Sequence, residues 1–170
     1  MDATRDGGGG VYIRYTDEET LIPVANGRFS TNFRAEAEAM RIAAAHVREH
    51  KDKAKEQVVI FSDAQSVLSA LKDSRRKEMN ELASTLADIA TQVYLALQWI
   101  PAHCGIHGNE TADRLAKGGG QLDQENTEVT YDEEKTIIKA LSRKRWHQQH
   151  PHYDRHDSYH QQGRADQVIL

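Results

Sequence analysis

The segment EQVVIFSD (56–63) constrains the fold of this chain most. It is a short, continuously apolar run that ends on a carboxylate, the pattern of a strand buried on both faces. Such strands need helices on either side of their sheet, so they belong to layered α/β architectures. The flanking segments agree. GVYIRYT (10–16) has strand composition, with Val11, Ile13 and Tyr15 on one face. LIPVANGRFS (21–30) reads as a second strand, and Pro23 points to an edge position, so residues 11–30 form a hairpin. Residues 1–10 end in four glycines and read as a loop.

The helices follow from spacing. Ser30, Thr31 or Asn32 can cap a helix over about 32–49, in which Phe33, Ala37, Met40, Ala44 and Val47 share a face. AQSVLSALK (64–72) is a short helix, and EMNELASTLADIATQ (78–92) is another, with Met79, Leu82, Leu86 and Ile89 inward. VYLALQWI (93–100) is a strand with Val93, Leu95, Leu97 and Trp99 on one face, which makes Trp99 a core residue rather than a stacking platform. NETADRLAK (109–117) is a helix that the glycines from 118 stop. The order β-β-α-β-α-α-β-α is followed by a linker and by one further helix within 130–150. The division is therefore a domain over 1–118, a linker over 119–127 and a helical, then polar, tail over 128–170.

Composition narrows the function classes. A chain of 170 residues suits one domain with a tail. Its net charge of -4 advertises no global nucleic-acid affinity, so any basic surface is local. One cysteine, Cys104, forbids an internal disulfide and fits a reducing, intracellular compartment. No apolar run approaches the roughly 20 residues of a membrane helix, and the N-terminus lacks the apolar stretch of a signal peptide.

Three acids stand at places where an α/β sheet binds ligands. Asp63 ends a strand, Glu36 lies early in the first helix, and Asp113 lies in the helix after the last strand. Converging carboxylates repel one another unless a cation neutralises them, and hard oxygens suit Mg²⁺. Ordinary alternatives stand beside this reading: Asp63 as a cap for 64–72, and Asp113 as a first-turn acid favoured by the helix dipole.

The segments GGGGVYI, TNFRAEAEA, VVIFSDAQSVLSAL and VYLALQWIPAHCGIHGNETADRLAK resemble the ribonuclease H type 1 family, in the form carried by non-LTR retrotransposon polyproteins. The resemblance implies an α/β fold with a mixed sheet flanked by helices. It also implies endonucleolytic cleavage of the RNA strand of an RNA–DNA hybrid by two-metal-ion hydrolysis, with Mg²⁺ or Mn²⁺ as cofactor and a monomeric protein. By the same likeness Glu36, Asp63 and Asp113 are metal ligands, His103 is a loop histidine that assists proton transfer or product release, and Glu110 supports Asp113. Asn32 would contact the hybrid backbone, and Lys72, Arg75 and Arg76 would form the basic segment that grips DNA.

One expected part falls outside the chain. The family's first catalytic Asp ends a central strand about ten residues before the glycine run, which is upstream of Met1. Asp2 and Asp6 are loop residues and poor replacements. The expectation is an N-terminally truncated or decayed copy whose neighbouring strands lack their central partner, and hence weak or absent activity. Two other readings stay open: a non-catalytic nucleic-acid-binding remnant, and an interaction module with no nucleic-acid partner. Cys104 reads as a loop residue. The tail histidines 147, 150, 152, 156 and 160 suggest only adventitious metal binding, because Pro151 breaks their helix and no cysteine joins them.

Overall fold

The computed structural model describes residues 7–50, 52–54, 57–73, 77–125 and 129–150. An antiparallel hairpin opens the fold, β1 (Gly8–Arg14) on β2 (Glu19–Ala25), in register from Gly8 opposite Ala25 to Arg14 opposite Glu19. Helix α1 (Asn32–Glu49) follows, and Thr31 is its cap, accepting from the Arg34 N–H. Strand β3 (Gln57–Ser62), helix α2 (Gln65–Lys72), a 3₁₀ turn (Lys77–Met79), α3 (Asn80–Ala90) and β4 (Tyr94–Trp99) complete a parallel unit, with Val58 opposite Leu95 and Ile60 opposite Leu97. Parallel strands need a crossover connection, which α2 and α3 provide. Helix α4 (His107–Gly119) and helix α5 (Tyr131–Gln149) end the described chain.

The main core lies between α1, α2, α3 and one face of the β3–β4 pair. Met40 and Ala44 of α1, Val67 of α2 and Leu82 and Leu86 of α3 are buried there, with Val58, Ile60 and Leu95 against them. The opposite face of β3 is open: Val59 is 37% exposed and Phe61 58%. Strand 57–62 is thus covered on one side only, not on both as its apolar run implies. Trp99 corrects a second expectation. It is 50% exposed, and its indole N–H donates to the Asp63 carbonyl at 3.3 Å, so it ties the end of β4 to the end of β3 instead of filling the core.

The glycine runs are interface as well as punctuation: α4 ends at Gly119 with Gly120 as its cap. Gly8 and Gly10 belong to β1 and lie under α4, where a Cβ on Gly8 would fall 2.0 Å from the Ala116 carbonyl oxygen and one on Gly10 2.0 Å from that of Ala112. From the other side, Gly119 abuts β2, with its would-be Cβ 2.3 Å from the Val24 oxygen. Helix α4 therefore runs on through Gly119 and rests backbone against backbone on the hairpin. Only residues without a Cβ allow that approach. Gly9 points the other way, toward Ala35 and Ala39 of α1.

The four strands form two separate pairs, β1–β2 and β3–β4. Helix α1 packs on β1 and shares the main core with Val58 and Ile60 of β3, and among the described residues β1 and β3 do not pair with each other. Their directions are fixed by α1. Gly9, early in β1, faces Ala35, whereas Glu36 senses the charge of Asp63 at the end of β3, so β1 and β3 run antiparallel. Among the described residues, each leaves one edge of backbone donors and acceptors without a ladder.

Beyond α4, Gln124 accepts from the Gly27 N–H at 2.7 Å and donates to the Gly119 carbonyl at 2.9 Å, which fastens this stretch to the hairpin. Thr130 and Glu133 form a capping box at the start of α5, and the buried Glu133 carboxylate also meets Arg34 of α1 at 3.1 Å.

At the far end of α1, His46 stacks on His50 with ring centroids 4.1 Å apart and faces Tyr15, while Lys53 pairs with Glu18 beside them. Burial, then the neighbouring His50 and Lys53, hold the His46 imidazole below its ordinary pKa, against the opposing pull of Glu49 and Glu18. The unfolded chain then binds a proton at His46 more readily than the folded one. That contribution to stability is complete above the usual histidine range and is lost as pH falls through the folded value. Urea unfolding midpoints measured from pH 8 to pH 5 should fall, and His46→Phe, which keeps an aromatic ring in the stack, should fall less steeply. Equal slopes in the two proteins would refute this origin.

Candidate active site

The site lies where β3 and β4 end. Asp63 follows β3, and its half-buried side chain accepts from the Asn109 amide at 3.3 Å. It does not cap α2, whose cap residue is Ala64, served locally by Ser62 Oγ accepting from the Ala64 N–H at 3.1 Å. Glu36 projects from the second turn of α1. Burial first, and the Asp63 charge second, push its carboxyl above the ordinary carboxylate pKa. Two acids held near each other with one partly desolvated are costly as an anionic pair, and a cation between them would relieve both terms.

Helix α4 supplies the other half. Asn109 and Asp113 lie one turn apart, so the bond that links Asn109 to Asp63 also brings Asp113 toward the same end of the sheet. Asp113 Oδ2 is 3.2 Å from His103 Nδ1. It is nevertheless enclosed without a well-directed hydrogen-bond donor, a state that suits an oxygen awaiting a cation. His103 is exposed and takes a left-handed backbone conformation, φ 54°, in a turn where Gly105 does the same at φ 79°. Cys104, an exposed loop residue, donates from Sγ to the Pro101 carbonyl at 3.0 Å.

The sequence-derived residues thus fall into two groups, Glu36 with Asp63 and His103 with Asp113, joined through Asn109. Asn109 is the member that spacing did not single out; its place one turn before Asp113 was the available signal. Among the described residues, the one trio of ligating side chains whose donor atoms all lie within 4.8 Å of one another is His103, Glu110 and Asp113. Asn32 is the exposed first residue of α1, and Lys72 is the exposed last residue of α2. Arg75, Arg76, Asp2 and Asp6, and tail histidines 152, 156 and 160, lie outside the described residues. His147 and His150 of the tail both contact the Trp146 ring, and His150 stacks on it with centroids 4.9 Å apart. Glu38, two positions past Glu36, pairs with Arg41 along the helix instead of facing the site.

Helices packed with an antiparallel and a parallel strand pair, with Asp63 where β3 ends, are consistent with the ribonuclease H-like α/β class. The RNase H family model matches residues 1–121, and the chain belongs to that family. The family consists of endonucleases that act on RNA–DNA hybrids with the help of a divalent metal. Hard oxygens on Glu36 and Asp63 suit such a metal, while Asp113 stands with His103 and Glu110 among the described residues. No helix among the described residues is long and apolar enough to cross a membrane.

Proposed function

We propose that this chain is the ribonuclease H domain of a non-LTR retrotransposon-like polyprotein and that it cuts the RNA strand of RNA–DNA hybrids, leaving 5′-phosphate and 3′-hydroxyl ends. The observation that carries this reading is the partly desolvated Glu36 beside Asp63, tied through Asn109 to the helix that bears Asp113. Those three carboxylates would hold Mg²⁺, which supplies an activated water and charge stabilisation for the leaving oxygen. Asn109 orients the Asp63 carboxylate. His103, on its exposed turn, reaches the solvent side of the site and can give or take the proton at Nε2 while Nδ1 faces Asp113. Asn32 and Lys72 would contact the phosphate backbone, and the 2′-hydroxyl marks the RNA strand.

A second reading has its own support. β1 and β3 are not joined, and no carboxylate-bearing strand lies between them among the described residues. This favours a hybrid-binding remnant that has the fold but does not cut. A hybrid-cleavage assay in Mg²⁺ and in EDTA, paired with a salt titration of hybrid binding, tests both. Mg²⁺-dependent scission of the RNA strand that disappears in Asp63→Asn supports the enzyme. Salt-dependent binding without scission selects the remnant. A chain that neither cuts nor binds the hybrid sinks both.

A further inference from the structure

We propose that helix α5 is a binding arm for single-stranded nucleic acid, which holds phosphates with Lys135, Lys139 and Arg143 and stacks a base at Trp146. The first support is the charge distribution. Residues 135–150 carry Lys135, Lys139, Arg143, Lys144 and Arg145 and no acid, in a chain whose net charge is -4. Among the described residues none of these cations pairs with a carboxylate. Glu133, the buried acid near the start of the helix, is taken up by Arg34 and by the capping box. The second support is placement. At about 100° per residue, Lys135, Lys139 and Arg143 stand on successive turns of one side of the helix, and Trp146 and His150 fall among them. The inward side is a different one: Glu133 is buried and Ile137 and Ala140 are half-buried, whereas every residue from 141 to 150 is exposed. The cationic stripe therefore faces solvent.

The third support is Trp146 itself. Its residue is 39% exposed, and it gathers His150, stacked with centroids 4.9 Å apart, and His147, edge-on at 5.3 Å. A basic helix alone would suit any polyanion. Cations in line with an aromatic cluster select an unpaired strand, because each nucleotide then offers a charge to the one and a π-face to the other. A duplex keeps its base faces stacked inside, and an acidic peptide has none to offer. The 19 residues of α5 make a rod about 28 Å long, which accommodates several nucleotides. The arm lies outside residues 1–121, which the family model matches, and it holds none of the acids of the candidate site. It starts beside that site all the same, because Arg34, which meets Glu133, lies two residues before Glu36. A strand leaving a bound hybrid would meet it there, yet the binding itself does not depend on the nuclease reading.

The test uses the full chain in EDTA and a fluorescein-labelled single-stranded DNA of about 15 nucleotides, read by anisotropy. Between about 50 and 200 mM salt, log affinity should fall linearly with log salt. Lys135→Gln, Lys139→Gln and Arg143→Gln together should flatten that slope by about 2, since each phosphate contact on a single strand contributes about 0.7. Glutamine is a good helix former, so α5 survives the change. The same number of charges removed at Arg14, Arg48 and Lys117, exposed positions on other elements, should leave the slope unchanged. Trp146→Ala should weaken binding by about tenfold at constant slope, and Trp146→Phe should recover most of the loss. An unchanged slope in the α5 triple variant marks a merely solvated helix face and overturns the proposal. So does a duplex of the same sequence that binds as tightly as the single strand, or polyglutamate that competes as well as the oligonucleotide. Hybrid cleavage is a separate readout: a chain that cuts but fails these measurements keeps the nuclease reading and loses the arm, and one that passes them without cutting keeps the arm alone.

Discussion

Gly10→Ala should destabilise the protein by about 3 kcal/mol or more, although it adds a single methyl group. That methyl would fall 2.0 Å from the Ala112 carbonyl oxygen and 2.7 Å from the Ala116 nitrogen, both of them helix backbone. No rotamer change can relieve such a contact, so α4 must lift from the hairpin or β1 must bend. Gly118→Ala is the control. It lies in the same helix, nothing lies within 4 Å of its would-be Cβ, and alanine there should stabilise by about 0.5–1 kcal/mol through helix propensity. Urea unfolding of the two variants beside the parent measures both. Equal midpoints for Gly10→Ala and the parent would show that the helix does not sit on β1 as described.

The second large effect concerns the space between β1 and β3. A strand entering it parallel to β3 would run antiparallel to β1, so both ladders could form without strain in direction. Its C-terminal end would then lie with Glu36 and Asp63. Fusing upstream a strand that ends in Asp-Gly-Ser should raise the unfolding midpoint, because it would pair with the edges of β1 and β3 that have no ladder among the described residues. On the proposed nuclease reading it should also raise Mg²⁺-dependent hybrid cleavage by about 10²-fold or more over the unfused protein, since metal stabilisation of the transition state amounts to several kcal/mol. Asp63→Asn in the fused protein should remove the gain. A well-folded fusion that cuts no faster than the parent would count against the proposed catalytic role of these acids.

Much of this was legible from the residues. The periods of 3.6 and 2 located the helices and strands, since each long segment buries one face: Met40 and Ala44 on α1, Leu82 and Leu86 on α3. The glycines misled because turn rules describe what a backbone is free to do, not what packs against it. GGGG looks like a loop, yet Gly8 and Gly10 lie in a strand against α4, and GGG stops that helix while Gly119 also rests on β2. Phe61 and Trp99 misled for a related reason. An apolar run suggests burial on both faces, but whether a second layer covers the sheet depends on elements far away in the chain. In the site, Glu36, Asp63, Asp113 and His103 were named from motif positions. What spacing could not supply was their grouping, because the Asn109–Asp63 bond joins residues 46 positions apart.

The bare contact between α4 and the hairpin has a mechanical meaning. Ordinary helix–sheet interfaces hold a cushion of side chains that can change rotamer and absorb displacement. Here carbonyl oxygens bear directly on α-carbons, so α4 rests on something close to a rail: it resists pressing or tilting toward β1 and β2. Asp113 is mounted on that rail, while His103 is carried on an exposed turn. On the proposed nuclease reading, the adjustment that substrate or ion demands would fall to the histidine, with the aspartate serving as its fixed datum.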